Sequence, residues 1–66
     1  MITIYTTETR PRCKILKKKL IDKNIDYVEV NDMDKLLELN ILEVPVLKID
    51  DTMFDFAAAN AWINNQ

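Results

Sequence analysis

Residues 6–14 read Thr6-Thr7-Glu8-Thr9-Arg10-Pro11-Arg12-Cys13-Lys14. This segment follows a short apolar run that predicts a strand over residues 2–5, and it opens an amphipathic helix that continues over residues 15 to about 23. It contains Cys13, the only cysteine of the chain. The positive end of the helix dipole and the flanking cations favour a thiolate at this position. Burial as a small apolar side chain is the alternative, and a lone thiol does not decide between the two.

Length and composition limit the classes of protein that the chain can form. Its 66 residues predict one domain over residues 1–66, with a thin margin of stability. One cysteine and no histidine exclude a disulfide framework and a histidine-containing zinc site, so packing alone must build the core. The sequence contains no run of about 18 apolar residues, so it predicts no membrane-spanning helix. The lack of a signal-peptide pattern and the single free cysteine predict a cytoplasmic location.

The charges are divided unevenly along the chain. Residues 1–24 carry seven basic and two acidic side chains, a net charge of +5, whereas residues 25–66 carry two basic and nine acidic ones, a net charge of −7. Most of the basic excess lies on the helix after Cys13, at Lys14, Lys17, Lys18, Lys19 and Lys23. A solvated helix face explains this cluster, and a docking face for an acidic partner or an anionic substrate is the functional alternative. Few aromatic residues and no recognition motif argue against nucleic-acid binding.

Periodicity predicts the element order β-α-β-α-β-β-α. The predicted strands cover residues 2–5, 26–30, 46–49 and 52–54, and the predicted helices cover residues 15–23, 33–39 and 56–64. The first β-α-β unit must be parallel and right-handed, and the hairpin adds two strands beside it. The prediction is therefore an α/β fold, with a four-stranded mixed sheet and helices on both of its faces.

Helix starts and turns carry their own signals. Pro11 suits a first helical position, Asn31 or Asp32 can cap the second helix, and Asp55 can cap the third. The chain contains no glycine. Left-handed positions must then fall on asparagine or aspartate, and we expect them at Asn24, Asn40 and the hairpin turn Asp50-Asp51.

Helical spacing also predicts which side chains enter the core. The expected core positions of the three helices are, in order, Cys13, Leu16, Leu20 and Ile21, then Leu36, Leu37 and Leu39, and finally Trp62 and Ile63.

The element order and three local features make the chain resemble the glutaredoxins, which have the thioredoxin fold. The first feature is Arg10-Pro11-Arg12-Cys13-Lys14, where glutaredoxins read Cys-Pro-x-Cys, most often followed by Lys or Arg. The second is Glu43-Val44-Pro45-Val46, which is similar to Thr-Val-Pro-x of the family. The third is Ile49-Asp50-Asp51-Thr52 at the family's hairpin turn. The resemblance covers nearly the whole chain.

The resemblance implies roles for several residues. Arg10 stands where the family has its nucleophilic cysteine, and Cys13 matches the second, resolving cysteine. The resemblance places substrate binding at Pro11, Arg12, Val44 and Pro45, with Val44 pairing its backbone with substrate peptide. It also predicts a cis peptide bond between Val44 and Pro45, although only about 5–6% of X–Pro bonds are cis.

The resemblance implies glutathione as the possible ligand, but three family positions that serve it differ here. Thr7 replaces a lysine, Asp55-Phe56 replaces a pair of glycines, and Ala58 replaces an aspartate.

Arg10 and Arg12 lie near the positive end of a helix dipole, where cations are unfavourable. We expect Glu8 or a bound anion to compensate them.

Three hypotheses for the function follow. The chain is a thiol–disulfide redox protein that transfers electrons to protein disulfides and lacks the dithiol cycle in this form, because Cys13 has no partner thiol. Alternatively it is a non-catalytic module that binds a peptide or anion, or a redox sensor with one cysteine. The expected partners are a protein disulfide substrate or a thiol reductant, and not nucleic acid or membrane. We expect a monomer without a metal.

Overall fold

The structure is a computed structural model that describes residues 1–7 and 10–66. Its elements follow the predicted order: β1 Ile2–Tyr5, α1 Pro11–Asp22, β2 Val28–Val30, α2 Met33–Glu38, β3 Val46–Ile49, β4 Thr52–Phe54 and α3 Phe56–Asn64. Helix α1 begins at Pro11, where the missing N–H has no intrahelical partner to lose. None of the helices in the described part of the chain is long and apolar enough to cross a membrane.

The four strands form one mixed sheet in the order β2-β1-β3-β4. Strand β1 pairs with β2 in parallel, through the α1 crossover, and with β3 in the antiparallel direction. Strands β3 and β4 form an antiparallel hairpin. The predicted mixed sheet and its parallel first unit are confirmed.

Side chains cap two helices and asparagine or aspartate fills the left-handed turns. Asp32 accepts a hydrogen bond of 3.0 Å from the N–H of Asp34 at the start of α2, and Asp55 accepts one of 2.8 Å from Ala58 at the start of α3. Positive φ angles occur at Asn24 (57°), Asn40 (58°) and Asp50 (53°). These are the positions predicted from the absence of glycine, because asparagine and aspartate tolerate this region best.

The main core lies between the sheet and the helix pair α1 and α3. It consists of Ile4, Leu16, Leu20, Leu47, Ala59 and Ile63, with Trp62 packed partly buried against it. Ile4 and Leu47 are directly paired across β1 and β3, so they share one face of the sheet. Tyr5 and Leu36 are also buried but lie outside this cluster. Since side chains alternate along a strand, Tyr5 points to the opposite face from Ile4.

Three predicted core residues are exposed. Ile21 is 62% exposed, because it lies about 100° around α1 from Leu20 and so turns away from the line through Cys13, Leu16 and Leu20. In the short helix α2 only Leu36 is buried. Leu37, 64% exposed, and Leu39 are therefore also corrections to the prediction.

Strand β2 is shorter than predicted. It covers Val28–Val30 rather than residues 26–30, and Val28 is exposed. Its register with β1 begins at Thr3, which pairs with Val28. β2 forms an edge of the sheet, which leaves its first side chains in contact with water.

Polar contacts join α1 to its neighbours. The hydroxyl of Thr6, the residue after β1, and Nζ of Lys17 on α1 both donate to Oε2 of Glu29 on β2, at 3.2 and 3.0 Å. Nζ of Lys19 donates to the side-chain oxygens of Asn60 and Asn64 on α3. These contacts fix the orientation of α1, the helix whose first turn lines the groove described next.

Candidate functional site

A groove of about 690 Å³ lies between the start of α1 and the loop that precedes β3. Arg10, Pro11 and Arg12 line one side, and Leu42, Glu43 and Val44 line the other. Four of these residues, Arg10, Pro11, Arg12 and Val44, carry site predictions from the sequence. The fold brings Val44 to the other three although more than thirty positions separate it from them in the chain.

The pairing of β1 with β3 explains this proximity. The two strands are antiparallel, with Tyr5 at the end of β1 opposite Val46 at the start of β3. The segment that leaves β1 and the segment that enters β3 must therefore meet at the same edge of the sheet. The first leads to Arg10 and the second contains Val44-Pro45.

Pro45, unlike Val44, does not line the groove. It is buried. The peptide bond between Val44 and Pro45 is cis, the isomer predicted from the sequence. Of these two residues, only Val44 lines the groove and can contact a molecule bound there.

Arg10 occupies the N-cap of α1. Its backbone is extended there and its side chain makes no capping hydrogen bond. In the described parts of the chain, ion pairs form between the Met1 amino group and Asp50 and between Lys17 and Glu29, and neither involves an arginine. Glu8, the carboxylate predicted to compensate Arg10 and Arg12, lies outside the described residues.

Arg12 stacks on an aromatic ring. Its Cζ lies 5.2 Å from the centroid of the Phe56 ring, within the range of a cation–π contact. Phe56 is one of the two residues that stand where the resembling family has glycines. The contact therefore joins the first turn of α1 to the start of α3 and helps to hold the guanidinium at the groove.

Cys13 is buried in the first turn of α1. It is 1% exposed, does not line the opening, and its N–H donates to the carbonyl of Arg10 at 3.1 Å. Of the two interpretations left open by the sequence, the structure shows the buried thiol. Because the chain has no second cysteine, an intramolecular disulfide is impossible. Chemistry at Cys13 therefore requires the thiol to become exposed first.

Sequence reasoning missed two residues of the groove. Leu42, which is 92% exposed, and Glu43 form the wall opposite the arginines. The sequence signal that could have placed them at the groove is their position directly before Val44-Pro45. Thr7, at the family's lysine position, is half-buried, and its Oγ1 has no hydrogen-bond partner within residues 1–7 and 10–66. Over the same ranges, no group of three or more His, Cys, Asp or Glu side chains is placed to hold a metal ion.

Comparison with solved structures places this architecture in the thioredoxin fold. The structure is similar to that of the glutaredoxin-like protein NrdH-redoxin from Escherichia coli, a protein with a thioredoxin-like activity profile. The two superpose with a TM-score of 0.75 at 22% identity, over 97% of this chain and 91% of the other. The fold of the protein is therefore that of the thioredoxin-like α/β proteins.

Sequence comparison narrows the class to a family. No family model matches the chain. It is, however, 47% identical over 57 residues to an uncharacterized glutaredoxin-like 8.6 kDa protein in the rubredoxin operon of Clostridium pasteurianum, and the match covers 76% of each chain. The chain belongs to the glutaredoxin-like proteins.

Proposed function

We propose that the chain is a glutaredoxin-like thiol–disulfide redox protein that keeps the substrate groove and lacks the dithiol cycle. The observation that carries the proposal is the placement of Arg10 at the N-cap of α1, on the wall of the groove, with the lone thiol of Cys13 buried three residues later. Val44 supplies the other wall, where the family pairs its backbone with substrate.

The dithiol cycle needs two thiols in sequence. A thiolate attacks one sulfur of the partner's disulfide, forms a mixed disulfide and releases the partner's other sulfur as a thiolate. A second thiol then attacks the mixed disulfide, so the partner leaves reduced by two electrons and the protein is left with an internal disulfide. Arg10 cannot perform the first step, and Cys13 without a companion cannot perform the second.

The substitution Arg10→Cys tests this assignment. The introduced thiol would stand at the helix N-terminus beside Arg12, where the dipole and the cation both favour the thiolate. Cys13 follows three residues later, about one helical turn away. We expect the variant to form an intramolecular disulfide and to accelerate the reduction of insulin by dithiothreitol, and the parent to match the rate of dithiothreitol alone.

A matched control is the double variant Arg10→Cys with Cys13→Ser. It should accumulate a mixed disulfide with the substrate and form no internal disulfide, as seen by mass spectrometry after acid quenching. If the parent is already as active as Arg10→Cys, Cys13 is a competent nucleophile alone and the roles assigned here are wrong.

A non-catalytic binding module is the second candidate, and the burial of Cys13 favours it. Thiol titration separates it from a redox sensor with one cysteine. A module should react with a thiol reagent only after denaturation, whereas a sensor should react in the native state. An Arg10→Cys variant that oxidises but exchanges with no thiol donor would also support the module.

The proposed partners are a protein disulfide substrate or a thiol reductant, met by the protein as a monomer. A reducing compartment such as the cytoplasm suits a free thiol. Glutathione is a less suitable ligand, because Thr7, Phe56 and Ala58 replace the family residues that serve it.

A further inference from the structure

We propose that the groove and the adjoining face of α1 together bind an extended acidic segment of a partner protein, with carboxylates at alternate positions. The inference rests on the proposed function in one respect, namely that the groove receives a peptide. It adds the chemical class of that peptide and a binding surface outside the groove.

The groove itself combines positive charge with an apolar wall. Arg10 and Arg12 are exposed on one side, and Leu42 projects almost wholly into solvent on the other. An exposed leucine opposite two arginines suits a peptide that carries an apolar side chain next to a carboxylate. The nearby Glu43 disfavours a second carboxylate on that wall, which directs the acidic end of the peptide toward α1.

The basic residues of α1 fall into two groups. Lys17 pairs with Glu29, Lys19 bonds to two asparagines of α3, and Lys23 donates to the main-chain carbonyl of Gln66 at 2.9 Å. Arg12 belongs to the same group, because its guanidinium stacks on Phe56. The remaining three are Arg10, Lys14 and Lys18, all exposed, and no hydrogen bond or ion pair engages their side chains within the described residues. We call these three the basic stripe.

The geometry of the basic stripe matches an extended chain. Its members are four residues apart, so they lie on one face of the helix and rise about 6 Å from one to the next. Side chains at alternate positions of an extended peptide lie on one side and are about 6.6 Å apart. Three carboxylates at alternate positions can therefore meet Arg10, Lys14 and Lys18 in turn, while the apolar end of the peptide reaches Leu42.

The test uses fluorescence anisotropy with a labelled peptide, Leu-Glu-Ala-Glu-Ala-Glu, and its isostere with glutamine in place of each glutamate. We expect the acidic peptide to bind, the isostere to bind much more weakly, and added salt to weaken the acidic peptide alone. The double variant Lys14→Gln with Lys18→Gln should weaken binding of the acidic peptide between about twofold and thirtyfold, as two exposed ion pairs are lost.

The matched control is Lys35→Gln with Lys48→Gln, which removes the same two charges from α2 and β3. It should leave the affinity within about twofold, since neither lysine belongs to the basic stripe or lines the groove. Equal weakening by the two double variants would reduce the effect to net charge and overturn the proposal. So would equal affinity for the two peptides, or tighter binding of an oligothymidylate or of reduced glutathione.

A second copy of this chain is the remaining occupant, because residues 25–66 carry a net charge of −7. A dimer in sedimentation that dissociates with salt or with the Lys14 and Lys18 changes would assign the basic stripe to that contact and overturn the proposal. The redox assignment is tested apart from this, through the activity of Arg10→Cys on a neutral disulfide such as hydroxyethyl disulfide. If that activity is present and the acidic peptide does not bind, only the inference about the partner fails.

Discussion

At the scale of single residues, Arg10 occupies the N-cap of α1, but its side chain makes no hydrogen bond to the first turn. Asparagine, aspartate and serine at this position accept a hydrogen bond from a free N–H of the first turn and so stabilise the helix. A cation beside the positive end of the helix dipole destabilises it. We expect Arg10→Asn to raise the free energy of unfolding by roughly 0.5–2 kcal/mol, measured in urea.

Asp55→Ala is the matched variant for that prediction, since Asp55 caps α3 with a 2.8 Å hydrogen bond. It should lower the free energy of unfolding by roughly 0.5–2 kcal/mol. A loss of several kcal/mol in Arg10→Asn would instead show that the arginine holds the loop before α1 in place.

Single residues also mark the limit of what the sequence could predict about the site. The motif resemblance was sufficient to identify Arg10, Pro11, Arg12 and Val44 as neighbours. The sequence left the fate of Cys13 open, because thiolate stabilisation and burial both suit the first turn of a helix. The stacking of Arg12 on Phe56 was not predictable, since it depends on how the start of α3 lies against α1.

At the scale of elements, α2 is the least securely packed helix. Six residues provide fewer than two turns, and Leu36 is its one buried residue. We expect Leu36→Ala to lower the free energy of unfolding by roughly 2–5 kcal/mol, because it leaves a cavity in the packing. Leu37→Ala should change it by no more than about 0.5 kcal/mol, because that side chain is mostly in water.

Chemical denaturation of the two leucine variants under identical conditions provides the comparison. If they lose stability equally, α2 packs differently from the structure and the groove wall at Leu42, which follows it, must move as well. Sequence periodicity could not separate these leucines, since a helix of six residues is too short to define a face. It succeeded for Leu16 and Leu20, where α1 is long enough to repeat its pattern.

At the scale of the whole molecule, stability depends on a core of few side chains. The usual stability per residue gives roughly 3–10 kcal/mol for a chain of this length. Leu47, fully buried between Ile4 and Phe54 on the neighbouring strands, should cost roughly 2–5 kcal/mol when changed to alanine.

Leu47→Ala should thus remove a large part of the free energy of unfolding at 25 °C. Far-ultraviolet circular dichroism across a urea titration measures this loss. Met53→Ala, on the adjacent strand and about half exposed, is the control and should remain close to the parent. A Leu47→Ala variant as stable as the parent would place the centre of the core elsewhere.

The fold as a whole followed from the sequence because several signals agreed. The proline at the start of α1, the aspartate caps and the alternation of helical and strand periods all specify the same order of elements. The contact of Thr6 and Lys17 with Glu29 was not predictable, since it depends on the side-chain positions at the edge strand. How much of each helix surface is buried likewise depends on the element that packs against the helix. For this reason Ile21 and Leu39 were wrongly predicted to lie in the core.

The turns made by Asn24, Asn40 and Asp50 without glycine also have a consequence for the denatured chain. Glycine is the residue that loses most conformational entropy on folding, and replacing one with another residue where the backbone permits is worth about 0.4–1 kcal/mol. A polypeptide without glycine explores fewer backbone conformations when unfolded, so it loses less entropy when it folds. This restriction of the denatured ensemble helps a chain of 66 residues, with no disulfide, to remain folded on a small core.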